Sequence, residues 1–80
     1  MNINSVESAT LAAIGYEDAH KVLQLEFRNG AVYRYAGVPG GVHEALLGAA
    51  SKGRYFNEAI RGQYTHWRIG NAEGERRGQS

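Results

Sequence analysis

The sequence contains no cysteine, only one proline among its 80 residues, and no long apolar run. The lack of cysteine excludes a disulfide framework and thiolate metal sites. No stretch approaches the roughly 18 apolar residues that are needed to cross a bilayer. The first residues, MNINSVESATLAA, also lack the basic segment and apolar core of a signal peptide. Together these absences predict a cytoplasmic protein that has no membrane partner.

Signatures of catalysis are also missing. The three histidines, His20, His43 and His66, fall on different predicted elements and lack the i, i+4 spacing of a helical zinc pair. No serine lies in a nucleophile-elbow context. The segment Gly48–Gly53 loosely resembles a phosphate-binding loop, but it lacks the order G-x-x-x-x-G-K-S/T and a preceding strand. We therefore expect no enzymatic activity, no metal and no cofactor.

The length and charge of the chain limit the remaining possibilities. Eighty residues make one domain, which buries only about 60–65% of the surface that it exposes when unfolded. Its stability should be modest, and we expect a monomer or a weak homodimer. The net charge of +1 conceals an asymmetry, because residues 1–27 sum to −3, residues 28–70 to +4 and residues 71–80 to zero. The basic portion can attract phosphates, although ordinary solvated charge is the competing interpretation.

The clearest local signal is a β-hairpin over residues 23–38, LQLEFRNGAVYRYAGV. Apolar and polar residues alternate on both sides of Asn29-Gly30, a pair that is typical of hairpin turns. The stretch also contains the triplet Tyr33-Arg34-Tyr35, which any function must explain.

The length of the hairpin loop decides where the two tyrosines point. A two-residue loop pairs Leu25 with Arg34 and places Tyr33 and Tyr35 on the face opposite the leucines. A three-residue loop over residues 28–30 pairs Leu25 with Tyr33 and gathers every large apolar side chain on one face. Because a one-residue slip turns the whole strand over, burial favours the three-residue loop.

The remaining strands are predicted less directly. Residues 1–8 are polar and are expected to be frayed. Residues 9–16 read as a strand in which Leu11 and Ile14 are three apart, which requires an irregularity near Gly15. Residues 64–69 alternate like a short fourth strand, and residues 71–80 contain nothing to bury and should be disordered.

Two short helical patterns follow the hairpin. The first has an apolar stripe at i, i+3, i+4 and i+7, formed by Val42, Ala45, Leu46 and Ala49. The second contains Tyr55, Phe56, Ala59 and Ile60. Between them, Gly53 can end the first helix or Ser51 can cap the second. The predicted fold class is therefore α+β: a three-stranded antiparallel meander, with the C-terminal strand as an optional fourth, followed by two short helices packed on one face.

Several stretches occur in an order that is specific to one family: Ser8–Leu11, Ile14–Tyr16, Leu23–Gly30, Tyr33–Tyr35, Gly37–Pro39, Ala50–Asn57, and then Ile60, Arg61 and Tyr64. The chain resembles the KTSC domain family, which is found at the C-terminus of some lysyl-tRNA synthetases and as stand-alone bacterial and phage proteins. The resemblance implies one KTSC-like domain over residues 1–70, with residues 71–80 as a tail. Gly40-Gly41 departs from the polar helix-starting residues that are usual in the family, which leaves the start of the first helix open.

The resemblance also implies a function, because RNA binding is the usual suggestion for the family. The expected contacts to RNA or another single-stranded nucleic acid are Tyr33, Arg34, Tyr35, Lys52, Arg54, Arg61 and Tyr64. The alternative is a protein-interaction domain that uses the open sheet face or an edge strand. The three-residue loop conflicts with base stacking on the tyrosines, because it packs both of them against the helices. RNA binding would then have to use Arg34, Arg28 and Gln24 on the open face.

Overall fold

The computed structural model describes residues 2–71, and over this range the chain is an antiparallel sheet covered on one face by helices. Five strands follow one another in chain order across the sheet, so the α+β class is confirmed, whereas the prediction of three or four strands is wrong. The elements are β1 (Asn2–Ser5), β2 (Leu11–Glu17), β3 (Val22–Phe27), β4 (Ala31–Tyr35), α1 (Gly40–Gly48), α2 (Lys52–Tyr55), a π-helical turn (Phe56–Ile60) and β5 (His66–Asn71).

The strand missed by sequence reasoning is β1, which lies within the residues expected to be frayed. It pairs with β2 along its whole length, with Ile3 opposite Gly15 and Ser5 opposite Ala13. An edge strand of this kind is held by backbone hydrogen bonds and needs no buried side chain, so it leaves no hydrophobic pattern. At the other end, Asn71 belongs to β5, and the rest of the expected tail lies outside the described residues.

The hairpin adopts the three-residue loop, which confirms the favoured register. Leu25 pairs with Tyr33, and Leu23 pairs with Tyr35. Gly30 has a φ of 94°, a backbone conformation that glycine adopts without steric cost, and its N–H donates to the Phe27 carbonyl over 2.9 Å. Both tyrosines therefore share the face of the leucines.

The expected irregularity in β2 is present, but it lies at Ala12 and not near Gly15. The register shifts between Leu11, which faces Phe27, and Ala13, which faces Glu26. The extra residue lets Leu11 and Ile14 point to the same face, where both are fully buried.

The core lies between the sheet and the helices, and its fully buried side chains are Leu11, Ile14, Leu23, Leu25, Val38, Leu46 and Ile60. Burying a side chain of this kind contributes about 1.5–3 kcal/mol relative to leaving it exposed. Within residues 2–71, no helix covers the opposite face of the sheet.

The buried face of α1 differs from the predicted stripe. Leu46 is buried as expected, but Ala45 is exposed, and Leu47 packs against the core in its place. His43 also turns inward, because its ring stacks on Tyr16 with 4.6 Å between centroids and 10° between planes. His43, Leu46 and Leu47 therefore belong to the inward face of α1.

The second helical segment follows the predicted pattern. Ser51 caps α2, since its Oγ accepts a hydrogen bond from the Arg54 N–H over 3.3 Å, and Gly53 lies inside this helix. Phe56 and Ile60 enter the core. None of the helices between residues 2 and 71 is long and apolar enough to span a membrane.

Candidate nucleic-acid interface

Five rings form a closed circuit at the β4–β5 side of the core. Neighbouring centroids are 5.4–6.0 Å apart in the order Phe27, Tyr33, His66, Tyr35, Phe56 and back to Phe27. Four of the five contacts are edge-to-face or tilted, and His66 stacks on Tyr35 at 26°. Aromatic pairs favour offset and edge-to-face arrangements of this kind. We call these five residues the aromatic circuit.

The aromatic circuit extends from the core to the surface. Tyr35 and Phe56 are buried, with 4% and 8% of their surface exposed. Phe27 and Tyr33 are half-buried, and His66 is exposed. A base can therefore reach Tyr33 and His66, whereas Tyr35 is a core residue and cannot stack on a ligand.

One arginine lies beside an accessible ring of the circuit, and the charge of a second arginine acts on a buried ring. Arg68 lies directly opposite Tyr33 in the β4–β5 pair, and its Nε donates to the Gly70 carbonyl over 3.2 Å. Burial, and after it the neighbouring Tyr33, raise the pKa of Tyr35 to about 12, although the guanidinium of Arg61 acts to lower it. The charge of Arg61 therefore acts on the buried ring of the circuit, and Tyr35 is a neutral phenol at pH 7.

A surface pocket of about 260 Å³ lies beside the circuit. Its lining residues are Phe27, Asn29, Ala31, Tyr33 and Arg68. We call the surface formed by Phe27, Tyr33, His66, Arg61 and Arg68 the basic aromatic groove. None of these residues, all of which lie within the described part of the chain, carries a carboxylate.

The other predicted contacts do not join this groove. Arg34 points to the open face, where its Nε donates to Gln24 Oε1 over 2.8 Å. Lys52 and Arg54 lie on α2 and are engaged locally, with Lys52 Nζ 3.2 Å from the Ala49 carbonyl and Arg54 paired with Glu58 over 3.2 Å. Tyr64 packs against the core as a half-buried residue.

Sequence reasoning missed His66, Arg68, Phe27 and Asn29 as members of this site. A signal for two of them was available, because the alternation of residues 64–69 places His66 and Arg68 on one face of a strand. Their position beside Tyr35 and Tyr33 follows only once β5 is known to pair with β4.

A second pocket, of about 270 Å³, lies where the loop after β1 meets the start of α2. Its lining residues come from Glu7–Thr10 and Ala50–Gly53. Two serine hydroxyls of this pocket accept hydrogen bonds from the backbone. Ser8 Oγ accepts hydrogen bonds from the N–H groups of Thr10 and Leu11 over 3.1 and 3.2 Å, and Ser51 caps α2. These hydroxyls therefore have a structural role, within the loop for Ser8 and within the helix for Ser51.

The open face has a different character. One cross-strand row contains Ile3, Gly15, Gln24, Arg34 and Trp67. Ile3 and Trp67, at the two ends of the row, are 54% and 43% exposed and are the large hydrophobic side chains that residues 2–71 leave in solvent. This row therefore combines two exposed apolar side chains with a single arginine.

No group of three or more histidine, aspartate or glutamate side chains that could hold a metal ion occurs within residues 2–71.

The profile of the KTSC domain matches residues 7–64, which is most of the chain. The chain belongs to the KTSC domain family. A solved structure, that of a KTSC domain protein from Yersinia pestis, is 35% identical and superimposes with a TM-score of 0.84 over 86% of this chain and 97% of that one.

Two kinds of relative share this KTSC domain. An uncharacterised protein of Stutzerimonas stutzeri is 44% identical over 66 residues, which cover 81% of this chain and 93% of that protein. A lysine–tRNA ligase of Nostoc is 42% identical over 60 residues, which cover 75% of this chain but 11% of the ligase. The domain thus occurs as a small protein and as a minor part of a larger enzyme.

Proposed function

We propose that this KTSC domain binds single-stranded RNA through the basic aromatic groove. The observation that carries the proposal is the accessible pair of rings, Tyr33 and His66, with Arg68 directly opposite Tyr33 in the neighbouring strand. Nucleic-acid bases stack on such rings, and the arginines neutralise backbone phosphates. Tyr35 contributes indirectly, because its buried ring stacks on the ring of His66.

The magnitudes favour a weak, salt-sensitive complex. Stacking contributes roughly 1–3 kcal/mol per base, and two accessible rings allow about two stacked bases. If each arginine neutralises one phosphate, the slope of log K against log salt is about −1.4, since each phosphate contact contributes about −0.7 for single strands. Affinity should therefore fall about sevenfold when salt rises fourfold.

The lysine–tRNA ligase relative supports an RNA partner. Its name states that it joins lysine to tRNA, and its chain contains a segment that is 42% identical to this domain. A domain carried by an enzyme with an RNA substrate has a natural role in holding RNA. The same role, in a cytoplasmic protein of bacterial or phage origin, is what we propose for the stand-alone chain.

The test is a fluorescence anisotropy titration of a labelled ten-nucleotide RNA at two salt concentrations. Arg68→Ala should weaken binding by about tenfold and bring the salt slope from about −1.4 to about −0.7. Arg34→Ala is the matched control, because it removes the same charge from the adjoining strand on the opposite face. We expect it to change affinity less than twofold. A larger effect of Arg34→Ala than of Arg68→Ala, or no binding by the unmodified protein, would show that the groove is not an RNA site.

The second candidate is a protein-interaction domain that uses the open face. Ile3 and Trp67 favour it, because exposed apolar side chains at both ends of one row are suited to a protein surface. Glu17 and Glu26 lie on strands β2 and β3 on this same face, and their charges disfavour a phosphate backbone there. A protein partner that shields Trp67 fluorescence, with the groove inactive toward RNA, is the result that would favour this candidate.

A further inference from the structure

We infer that the pocket lined by Phe27, Asn29, Ala31, Tyr33 and Arg68 takes one nucleobase and selects guanine over adenine. This inference rests on the proposed function, because the pocket opens beside Tyr33 within the basic aromatic groove. It adds a base preference to a site that would otherwise bind any single strand.

The size of the pocket suits a single base. Its volume of about 260 Å³ is just below the roughly 300–1,000 Å³ that is typical of pockets for drug-sized ligands. Phe27 and Tyr33 meet edge to face at 88°, so they form two apolar walls at right angles. Ala31 is buried and has a small side chain, which leaves room for a flat ring.

The polar groups of the pocket are biased toward donors. Asn29 Oδ1 already accepts a hydrogen bond from the Ala31 N–H over 3.0 Å, and this contact fixes the amide so that its NH₂ points away from the turn. The Arg68 guanidinium has only donors, and within residues 2–71 its terminal nitrogens have no acceptor. An incoming base therefore meets the donors of the Asn29 amide and of the Arg68 guanidinium, whereas the Asn29 oxygen already accepts one hydrogen bond.

This bias distinguishes the purines. Guanine presents two adjacent acceptors, O6 and N7, whereas adenine presents N7 beside the N6 amino donor. A guanidinium binds the guanine pair through two parallel hydrogen bonds, which is the commonest specific contact of arginine with a base. The two other terminal N–H groups of Arg68 stay available for a backbone phosphate. Adenine would direct its amino group at another donor. Because Asn29 and Arg68 are both exposed, we expect the lower end of the usual discrimination, about fivefold.

The experiment compares two eight-nucleotide RNAs, one of adenines only and one with a single central guanine, by anisotropy titration with the whole chain at one salt concentration. The guanine-containing RNA should bind about fivefold more tightly. Asn29→Asp keeps an oxygen to accept from the Ala31 N–H but removes the amide donors, so the ratio of the two affinities should fall toward one. Arg68→Lys keeps the positive charge but loses the planar fork, and it should lower the ratio in the same way.

The outcomes separate this inference from the proposed function. If neither RNA binds, the proposed function and this inference are both wrong. If both RNAs bind equally well to the unmodified protein, the groove binds RNA and only the base preference is overturned. Retention of the fivefold ratio in both Asn29→Asp and Arg68→Lys would also overturn it, because the guanine would then be recognised elsewhere. Arg34→Ala is the control and should leave the ratio unchanged.

Discussion

Replacing Gly53 by alanine should destabilise the domain, even though alanine is the better helix former. Gly53 lies inside α2, and its backbone passes close to Thr10 in the loop before β2. An ideal Cβ on Gly53 would lie 3.1 Å from Thr10 Cβ and closer still to Thr10 Oγ1. Rotating the threonine side chain can move its Oγ1 but not its Cβ, so the two backbones must separate.

The expected cost follows from two opposing effects. Forcing an extra carbon into a well-packed contact costs about 1–3 kcal/mol. Alanine recovers about 0.5–1 kcal/mol relative to glycine within a helix. We therefore expect Gly53→Ala to lower the free energy of unfolding by about 1–2 kcal/mol, which is a large part of the stability of so short a chain.

Urea denaturation measures this change, and the chain offers a matched control. Gly41 lies in α1, and a Cβ there would meet no heavy atom within 4 Å, so Gly41→Ala should be neutral or stabilising by up to about 1 kcal/mol. Combining Thr10→Ala with Gly53→Ala should cost less than the sum of the two single changes, because the pair is in contact. Equal shifts for the two glycine variants would refute the close-approach argument.

Two further predictions concern single side chains. The pKa of Tyr35 is about 12 in the folded chain and 10.0 in the unfolded chain. Between these pH values the unfolded chain loses the phenol proton and the folded chain keeps it. The free energy of unfolding should therefore fall as pH rises from about 10 to about 12, by roughly 2–3 kcal/mol in total. Urea denaturation at several pH values should show that Tyr35→Phe lacks this part of the alkaline loss; an unchanged loss would mean that burial of the phenol is not its cause. Ser51→Ala removes the cap of α2 and should cost about 1 kcal/mol, whereas Ser51→Asp, which can also cap, should cost less.

The hairpin shows how much of the fold could be predicted from the sequence. Its register was predictable because only one pairing buries Leu23, Leu25 and Tyr35 on the same face, and that pairing is observed. The strand β1 was not predictable in the same way. Its pairing with β2 depends on backbone groups, and Ile3 remains exposed, so the residues show no pattern that distinguishes a strand from a frayed end.

The candidate site was predicted only in part, for a related reason. The triplet Tyr33-Arg34-Tyr35 was recognisable from local alternation, but His66 and Arg68 reach it through a long-range strand pairing that local periodicity does not specify. Charge alone also suggested Lys52 and Arg54, and these lie on α2 with local partners. Residue type identified candidates, and only the sheet topology decided which of them share a surface.

The alternation within that triplet gives its three residues different roles, and this affects how their variants are interpreted. Tyr35 points into the core, and Arg34 points to the open face. Tyr33 is a half-buried member of the aromatic circuit. A loss of RNA binding in a Tyr35 variant would not indicate a contact, because removing a buried ring also displaces His66, which stacks on it. Tyr33 is the member of the triplet whose replacement tests stacking directly. Its effect on RNA affinity should exceed its effect on the free energy of unfolding, and for Tyr35 the order should be reversed.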